Sequence, residues 1–245
     1  MDVLDDLIAA GAPEWTVVLA DEQTAGLGRA GRSWEAPPGS GLLCSVMVRP
    51  RIAPAQMGML AIAAGVAIAE HLATLGVAVT LKWPNDVLLD GRKLAGILIR
   101  TRVDALGVVA NVGIGLNVKA AAASIGSKAT LDEVMPTPPG ITDLMTGVID
   151  RFARVVFGSD MSAIRDAWLS RAAFVGDGVT VGNGATAIVG VLRGIDEDGA
   201  LLIRDEEGQI TRVVGGDVVR GPRLGEASPP TYTLRYQAFD LAQRA

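Results

Sequence analysis

Apolar residues recur at helical spacing most clearly between residues 54 and 75. Met57, Leu60, Ala64 and Ile68 stand three or four positions apart, which is the period of one helix face. Pro54 suits the first turn of a helix, where its missing N–H costs nothing. Because the opposite side is also apolar, we expect this helix to be buried on most sides. Shorter helices are predicted at residues 3–11, 141–157 and 162–172.

Short apolar and β-branched runs predict strands around this helix. Asp90-Gly91 separates two such runs, and because Asp-Gly readily adopts positive φ, a hairpin is predicted there. Gly113 and Gly115 interrupt another run, and glycines inside a strand often mark a bulge or the close approach of a ligand. The predicted strands are residues 16–20, 42–48, 77–82, 87–89, 94–100 and 108–118. Residues 24–32 are predicted to be a loop, and residues 120–140 are poorly patterned and predicted to be partly loop.

After Ala173 the pattern changes to short strands separated by turns rich in Gly, Asn and Asp. Such regular spacing is typical of a small β-barrel. The chain is therefore predicted to have a main domain at residues 1–173, a barrel at residues 174–222 and a tail without clear pattern at residues 223–245. The five short strands are predicted at residues 179–181, 187–193, 200–204, 209–214 and 218–220.

The amino-acid composition argues against several classes of function. The 245 residues are 49% hydrophobic, with 22 basic and 27 acidic side chains, a balance that argues against general binding to nucleic acid. With Cys44 as the single cysteine and His71 as the single histidine, an intrachain disulfide is excluded, and catalytic triads and multi-histidine zinc sites nearly so. No secretory signal is evident, and the most apolar stretch, residues 58–69, is too short to span a membrane. We expect a cytoplasmic protein with no membrane partner.

A glycine–arginine segment follows the first predicted strand. Gly26, Gly28 and Gly31 match G-x-G-x-x-G, but two prolines and a glycine come where a dinucleotide site needs a helix, so that interpretation is rejected. Arg29 and Arg32 stand among these glycines. Glycines let backbone N–H groups approach an anion, and arginine offers forked donors to carboxylate or phosphate. The segment could hold two anions side by side, or it could be a solvated turn with unpaired arginines.

Polar residues also cluster at the ends of the strands near residues 82–98. A lysine there, Lys82 or Lys93, would neutralise charge that develops between two reacting anions. A carboxylate such as Asp86 could hold Mg²⁺ or orient an incoming amine. The alternative is that Asn85 and Asp86 only cap a turn and that Lys93 is exposed.

These segments together resemble the motifs of biotin–protein ligases. Residues 21–34 resemble the biotin-binding loop, residues 82–86 (KWPND) and 93–98 (KLAGIL) two further motifs, and residues 113–117 (GIGLN) a fourth. Residues 194–202 resemble the SH3-like C-terminal domain of the family. The resemblance implies an α+β fold in which a mixed β-sheet with flanking helices, related to class II aminoacyl-tRNA synthetases, precedes a small SH3-like β-barrel. Residues 1–173 would then be the biotin- and ATP-binding catalytic domain.

The resemblance implies two reaction steps, with ATP, Mg²⁺ and biotin required. The biotin carboxylate attacks the α-phosphate of ATP, and a lysine of a biotin carboxyl carrier protein then attacks the biotinyl-adenylate. The implied catalytic residues are Arg29, Arg32, Lys93 and Asp86, the last also as a metal ligand. The implied biotin-binding residues are Gln23, Gly26, Gly28, Arg29, Lys93 and Gly96, and the implied ATP-binding residues are Arg29, Arg32, Trp34, Asn85 and Asn117.

The chain departs from the family pattern in two ways. Leu27 stands where the family loop has its first arginine, which removes one polar contact. The Ser-Thr pair that usually precedes the first helix is missing, so we expect that the natural start lies upstream. The sequence has no room for the winged helix of the DNA-binding family members, and we expect no DNA partner. A homodimer is compatible with the resemblance. The alternatives are a lipoate-type ligase of the same fold and a biotin-binding protein without catalysis.

Overall fold

The computed structural model describes residues 1–120, 128–158, 160–182 and 186–221. The α-helices are α1 (Asp2–Ala9), α2 (Met59–Thr74), α3 (Ile141–Gly158) and α4 (Met161–Leu169), and 3₁₀ turns occur at Arg29–Gly31, Pro54–Gly58 and Leu131–Glu133. The strands are β1 (Val17–Ala20), β2 (Gln23–Leu27), β3 (Ser33–Ala36), β4 (Gly41–Val48), β5 (Thr80–Lys82), β6 (Asp86–Leu89), β7 (Arg92–Asp104), β8 (Gly107–Asn117), β9 (Gly178–Val181), β10 (Ile188–Ile195), β11 (Leu201–Arg204), β12 (Ile210–Val213) and β13 (Val218–Arg220).

A six-stranded main sheet has the order β1-β4-β8-β7-β6-β5. All of its neighbouring strands pair antiparallel, so the expectation of a mixed sheet is wrong for the sheet itself. The reason is its connections: β5 to β8 follow one another through short turns, and a short turn can join only antiparallel neighbours. Asp90 and Gly91 adopt φ of 49° and 75° in the turn between β6 and β7, as the Asp-Gly pair predicted.

Helix α2 forms the centre of the core. It packs against the main sheet on one side and against α3 and α4 on the other, and most of its side chains are buried. Together with the preceding 3₁₀ turn it is 21 residues long and apolar enough, by length and composition, to cross a membrane. However, 61% of its most apolar window is buried inside the protein, so packing against the sheet and helices accounts for its composition. The apolar character on all sides agrees with the prediction of a helix buried on most sides.

The C-terminal strands form a five-stranded antiparallel sheet with the order β12-β11-β10-β9-β13, called here the C-terminal sheet. Its strands agree with the five predicted ones to within a few residues. The turn before β11 contacts the main domain, because the indole N–H of buried Trp83 donates to the carbonyl oxygen of Gly199 at 2.9 Å. Gly199 adopts φ of +80°, and a Cβ there would stand 3.1 Å from the Met59 sulfur at the start of α2. The predicted tail at residues 223–245 lies outside the described residues.

Candidate active site

The glycine–arginine segment is not the simple loop that the sequence predicted. Residues 24–27 belong to strand β2, which pairs antiparallel with β3 so that Gly26 opposes Trp34 and Leu27 opposes Ser33. A Cβ on Gly26 would collide with the Trp34 carbonyl oxygen, so glycine is required by the close approach of the two strands. The intervening turn includes Gly31 at φ of +73°, a conformation that favours glycine. The hairpin thus presents Arg29, Arg32 and Trp34 from one rigid unit.

A cavity of about 280 Å³ lies between this hairpin and the main sheet. All of the residues predicted for the site line it except Gly26 and Asn117. The predicted residues in the lining are Gln23, Gly28, Arg29, Arg32, Trp34, Asn85, Asp86, Lys93 and Gly96. The cationic side chains from the hairpin and from β7 therefore share one cavity, although they are more than 60 positions apart in sequence. A solvated turn with unrelated arginines does not describe this arrangement.

Two glycines of the main sheet form the surface on which Trp34 lies. Gly96 of β7 and Gly115 of β8 are direct cross-strand partners. A Cβ on Gly115 would stand 2.8 Å from the Trp34 ring carbons Cε2 and Cζ2, and one on Gly96 would stand 3.3 Å from Cζ3. Both are closer than ordinary carbon contacts of about 3.5–4.0 Å. The KLAGIL and GIGLN motifs therefore each contribute one glycine that makes room for the indole.

Positive charge surrounds the same indole. The ammonium groups of Lys93 and Lys128 lie 5.5 Å and 5.2 Å from the centroid of the Trp34 ring, within cation–π range. The Trp34 indole N–H is buried and has no hydrogen-bond partner within the described chain. Buried polar groups are normally satisfied, and exceptions often belong to functional sites. A partner for this N–H could come from a molecule bound in the cavity.

Contacts between motifs fix the charged side chains. Arg29 Nη1 donates to Asn85 Oδ1 at 3.3 Å, and Asn85 Nδ2 donates to the Ile97 carbonyl oxygen at 2.7 Å. Lys93 Nζ lies 2.6 Å from Asp86 Oδ1, an ion pair without hydrogen-bond geometry, between half-buried side chains. The KWPND segment therefore holds one cation from the hairpin and one from β7. Asn85 and Asp86 do more than cap their turn, and Lys93 points into the cavity.

The C-terminal sheet meets the hairpin at the same place. Arg29 Nη1 lies 3.5 Å from the Gly216 carbonyl oxygen, and Arg32 forms an ion pair of 2.8 Å with Asp217. Both partners of that ion pair are about half exposed, so it contributes little to stability in water. Its consequence is geometric, because it holds Arg32 at the rim of the cavity through a residue that sequence reasoning did not select.

Two predicted residues contribute from outside the cavity. Gly26 allows the β2–β3 approach described above. The Asn117 side chain donates to the carbonyl oxygens of Lys93 at 3.3 Å and Ala129 at 3.1 Å, so its amide is already engaged by backbone. A direct contact between Asn117 and ATP stays a prediction, whereas its observed contacts fix the backbone on both sides of the site.

The cavity also has lining residues that were not predicted for it: Gly115, Cys44 and Lys128 are among them. The glycine interruption of β8 was the sequence signal for Gly115, whereas the unpatterned connection before Ala129 gave none for Lys128. Cys44 lies in strand β4 and is 5% exposed. Burial raises the pKa of the Cys44 thiol to about 12, so it is protonated at neutral pH and is not a nucleophile.

The lining can accommodate a metal only as part of a nucleotide complex. Among the described residues, no three Asp, Glu, His or Cys side chains lie together as metal ligands would. Asp86 is the one carboxylate among the described lining residues, and Lys93 already neutralises it. Mg²⁺ in nucleotide sites is usually held by phosphates, waters and one or two carboxylates. The residues fit a Mg²⁺ that enters with the nucleotide and takes one ligand from Asp86.

Comparison with known proteins gives the family. Residues 2–117 match the model of the biotin/lipoate A/B protein ligase family, and residues 174–221 match the biotin protein ligase C-terminal domain. The biotin–[acetyl-CoA-carboxylase] ligase of Paracoccus denitrificans is 33% identical over 215 residues, which cover 82% of this chain and 89% of that protein. The chain belongs to the biotin–protein ligase family. The ligase of the same name from Mycobacterium tuberculosis is 36% identical and covers 87% and 84% of the two chains.

Solved structures of biotin protein ligases share the fold. The Aquifex aeolicus biotin protein ligase in complex with biotin and ATP superposes with a TM-score of 0.74 at 27% identity, covering 88% of this chain and 92% of the other. The large antiparallel sheet with few helices is therefore the fold of this family, and the C-terminal domain of the family is present. Both of the relatives above are named as biotin ligases, which favours biotin over lipoate as the substrate.

Proposed function

We propose that the chain joins biotin to a specific lysine of a biotin carboxyl carrier protein, using ATP and passing through biotinyl-5′-AMP. The observation that carries this proposal is the convergence of Arg29, Arg32 and Lys93 on one cavity. A carboxylate and a triphosphate repel one another, and preorganised cations offset that repulsion most effectively in a site partly shielded from water. The Aquifex relative, whose structure contains biotin and ATP together, supports the same two ligands here.

The first step is attack of a biotin carboxylate oxygen on the α-phosphorus. The bond from that phosphorus to the bridging oxygen of the β-phosphate breaks, and pyrophosphate leaves. Arg29 and Lys93 neutralise the charge that gathers between the two reactants, and Arg32 is positioned to hold the outer phosphates. Trp34 offers its aromatic surface to the adenine, for which a flat apolar group is suited. Gln23, Gly28 and Gly96 form the biotin side of the site, and Asn85 lines its nucleotide side. Gly26 and Asn117 support these two sides from outside the cavity.

In the second step the acceptor lysine nitrogen attacks the carbonyl carbon of the mixed anhydride. AMP leaves and the amine gives up a proton. Asp86, the one carboxylate among the described lining residues, orients the incoming amine, and Lys93 pairs with it at 2.6 Å. Mg²⁺ would be held by the phosphates with Asp86 as its protein ligand and would add positive charge at the leaving pyrophosphate.

The proposed catalytic domain is followed by a smaller C-terminal domain. Residues 1–173 form the catalytic domain, and residues 174–222 form an SH3-like barrel whose Gly216 and Asp217 contact the arginines of the site. The net charge of −5 disfavours a DNA partner. We assign the protein to the cytoplasm, and a homodimer is compatible with the edge strand β1 of the main sheet.

Transfer of labelled biotin to a carrier protein in the presence of ATP tests the proposal. We expect labelling by the wild type, and a loss of about 10²–10³ in rate for Arg29→Ala, because removal of one preorganised charge donor typically has that effect. Arg204→Ala, which removes an exposed arginine of the C-terminal sheet, is the control and should retain wild-type activity. Preference for lipoate over biotin would indicate the lipoate-type alternative. Biotin binding without any transfer would indicate a non-catalytic binding protein.

A further inference from the structure

The cationic side chains that line the cavity differ in whether a protein oxygen already pairs or hydrogen-bonds with them. Arg29 has the Asn85 side-chain oxygen, Arg32 has Asp217, and Lys93 has Asp86. The fourth cation is Lys128, which is partly buried and lines the same cavity. Within the part of the chain that the structure describes, its ammonium group has no hydrogen-bonding or ion-pairing oxygen. Among the described lining residues, Lys128 is thus the side-chain cation whose charge is available to a ligand without displacing a protein oxygen.

The backbone that carries Lys128 is fixed to the site by three hydrogen bonds. The N–H of Ala129 donates to the Lys93 carbonyl oxygen at 2.9 Å, and Asn117 Nδ2 donates to the Ala129 carbonyl oxygen at 3.1 Å. Arg92 Nη1 donates to the Lys128 carbonyl oxygen at 3.1 Å. Arg92 is itself paired with Glu133. The Lys128 side chain therefore starts from a backbone position tied to the same strand that carries Lys93.

We propose that Lys128 binds the phosphates of ATP and is a nucleotide-binding residue of the ligase reaction. Its ammonium lies 5.2 Å from the centroid of Trp34, the residue proposed to face the adenine, so a nucleotide seated at Trp34 brings its phosphates within reach of a flexible lysine side chain. Hydrogen bonds between an ionised donor and phosphate oxygens are the strong ones, and lysine is a common point-charge phosphate ligand. This inference rests on the proposed use of ATP.

Leu27 gives Lys128 a specific importance in this chain. Leu27 lines the cavity, is 55% exposed, and stands where the related loop has an arginine. The hairpin therefore contributes one cation fewer to the anionic ligands than the family pattern provides. Lys128 lines the same cavity from the connection between β8 and α3 and supplies the missing positive charge.

The competing explanation is that Lys128 only packs against the Trp34 ring as a cation–π partner. The two explanations differ in which part of the nucleotide depends on Lys128. A phosphate ligand affects ATP and leaves adenosine alone, because adenosine has no phosphate. A packing role that orients Trp34 affects ATP and adenosine to a similar extent, because both present the adenine.

Titration calorimetry with ATP and with adenosine tests the proposal on Lys128→Ala, Lys128→Arg and Lys119→Ala. Lys119 is an exposed lysine that follows β8, and it is outside the described cavity lining, so its variant matches the charge change. We expect Lys128→Ala to raise the dissociation constant for ATP roughly 10- to 100-fold, the effect of losing one charge-assisted hydrogen bond. Adenosine affinity should stay at the wild-type value, Lys128→Arg should retain most ATP affinity, and Lys119→Ala should match the wild type.

An unchanged ratio of ATP to adenosine affinity in Lys128→Ala would overturn the proposal, whether both affinities persist or both fall together. A folding defect would appear as loss of adenosine binding, which is one of these overturning results, and Lys128→Arg provides a second, less disruptive variant. Failure of the proposed function is recognised separately: the wild type would then bind ATP but transfer no biotin. A wild type that binds no ATP would contradict both.

Discussion

Replacement of Gly115 by alanine tests whether the position of Trp34 controls nucleotide binding. The new Cβ would stand 2.8 Å from two ring carbons of Trp34 and 3.1 Å from its Nε1. Ordinary carbon contacts are about 3.5–4.0 Å, so the indole must retreat by roughly 0.7–1 Å. The backbone of Gly115 is not in the positive-φ region that favours glycine, so the strand itself accepts alanine. The conflict is confined to the side chain that is proposed to face the adenine.

The magnitude follows from that displacement. A misplacement of about 1 Å can reduce the rate by about 100-fold, so we expect the KM for ATP to rise about 10- to 100-fold in Gly115→Ala. Overpacking typically costs about 1–3 kcal/mol, and the removal of a strand glycine returns about 0.5–1 kcal/mol. The free energy of unfolding should therefore fall by no more than about 2.5 kcal/mol. Gly96→Ala should have a smaller effect, because its Cβ is 3.0 Å from the movable end of Lys93 and 3.3 Å from the ring.

Biotin-dependent exchange of pyrophosphate into ATP, measured at saturating biotin, gives the KM for ATP, and urea unfolding gives the stability. Gly65→Ala is the matched control: it is a buried glycine on α2 where a Cβ would meet Leu81 at an ordinary 3.6 Å. The free energy of unfolding of this control should rise by up to about 1 kcal/mol, because alanine has the higher helix propensity. Its KM for ATP should stay at the wild-type value. A folded Gly115→Ala with the wild-type KM for ATP would refute the reasoning that the glycine pair positions Trp34 for the nucleotide.

Three further variants test other parts of the structure. Trp83→Phe leaves the buried Gly199 carbonyl oxygen without its hydrogen-bond donor. The free energy of unfolding measured in urea should therefore fall by about 1–3 kcal/mol, and an unchanged unfolding midpoint would contradict this. Hydrogen bonding by Arg49 lowers the pKa of Asp104 from its ordinary 3.8 to about 2. The folded state is thus favoured by ionised Asp104 above about pH 3.8, and this contribution disappears as the pH falls through about 2. Asp104→Asn should therefore be less stable than the wild type at pH 7, and the difference in the free energy of unfolding should shrink steadily as the pH falls toward about 2; a constant difference would refute the assignment. Leu27→Arg restores a cation to the lining and should tighten ATP or biotin binding in calorimetry, whereas weaker binding would show that the site has no use for that charge.

Local sequence pattern was sufficient for most helices and strands of the fold. The spacing of Met57, Leu60, Ala64 and Ile68 predicted α2 and its burial, although the α-helix begins at Met59 because Pro54–Gly58 form a 3₁₀ turn. The Asp-Gly pair predicted the hairpin between β6 and β7. Strand β2 was missed because a glycine-rich segment has weak strand preference by itself and becomes a strand here only by pairing with β3.

Arrangements that depend on distant contacts could not be predicted in the same way. The expected mixed sheet is antiparallel, since strand order and direction depend on which neighbours meet in space. The cross-strand pairing of Gly96 with Gly115 depends on the register of β7 against β8, and no local pattern specifies that register. Motif resemblance predicted the cationic residues of the site. It did not indicate Lys128, which lies in a connection without pattern, or Asp217, which lies between β12 and β13 of the C-terminal domain.

The central claim is that one cavity holds the carboxylate of biotin and the phosphates of ATP next to each other. Calorimetric competition with a non-hydrolysable analogue of biotinyl-adenylate tests it most directly. We predict that the analogue binds at one site per chain and that protein saturated with it binds neither biotin nor ATP, since both parts of the cavity are then filled. ATP that binds to the saturated protein with undiminished affinity would show that the two ligands occupy separate sites and would contradict the account.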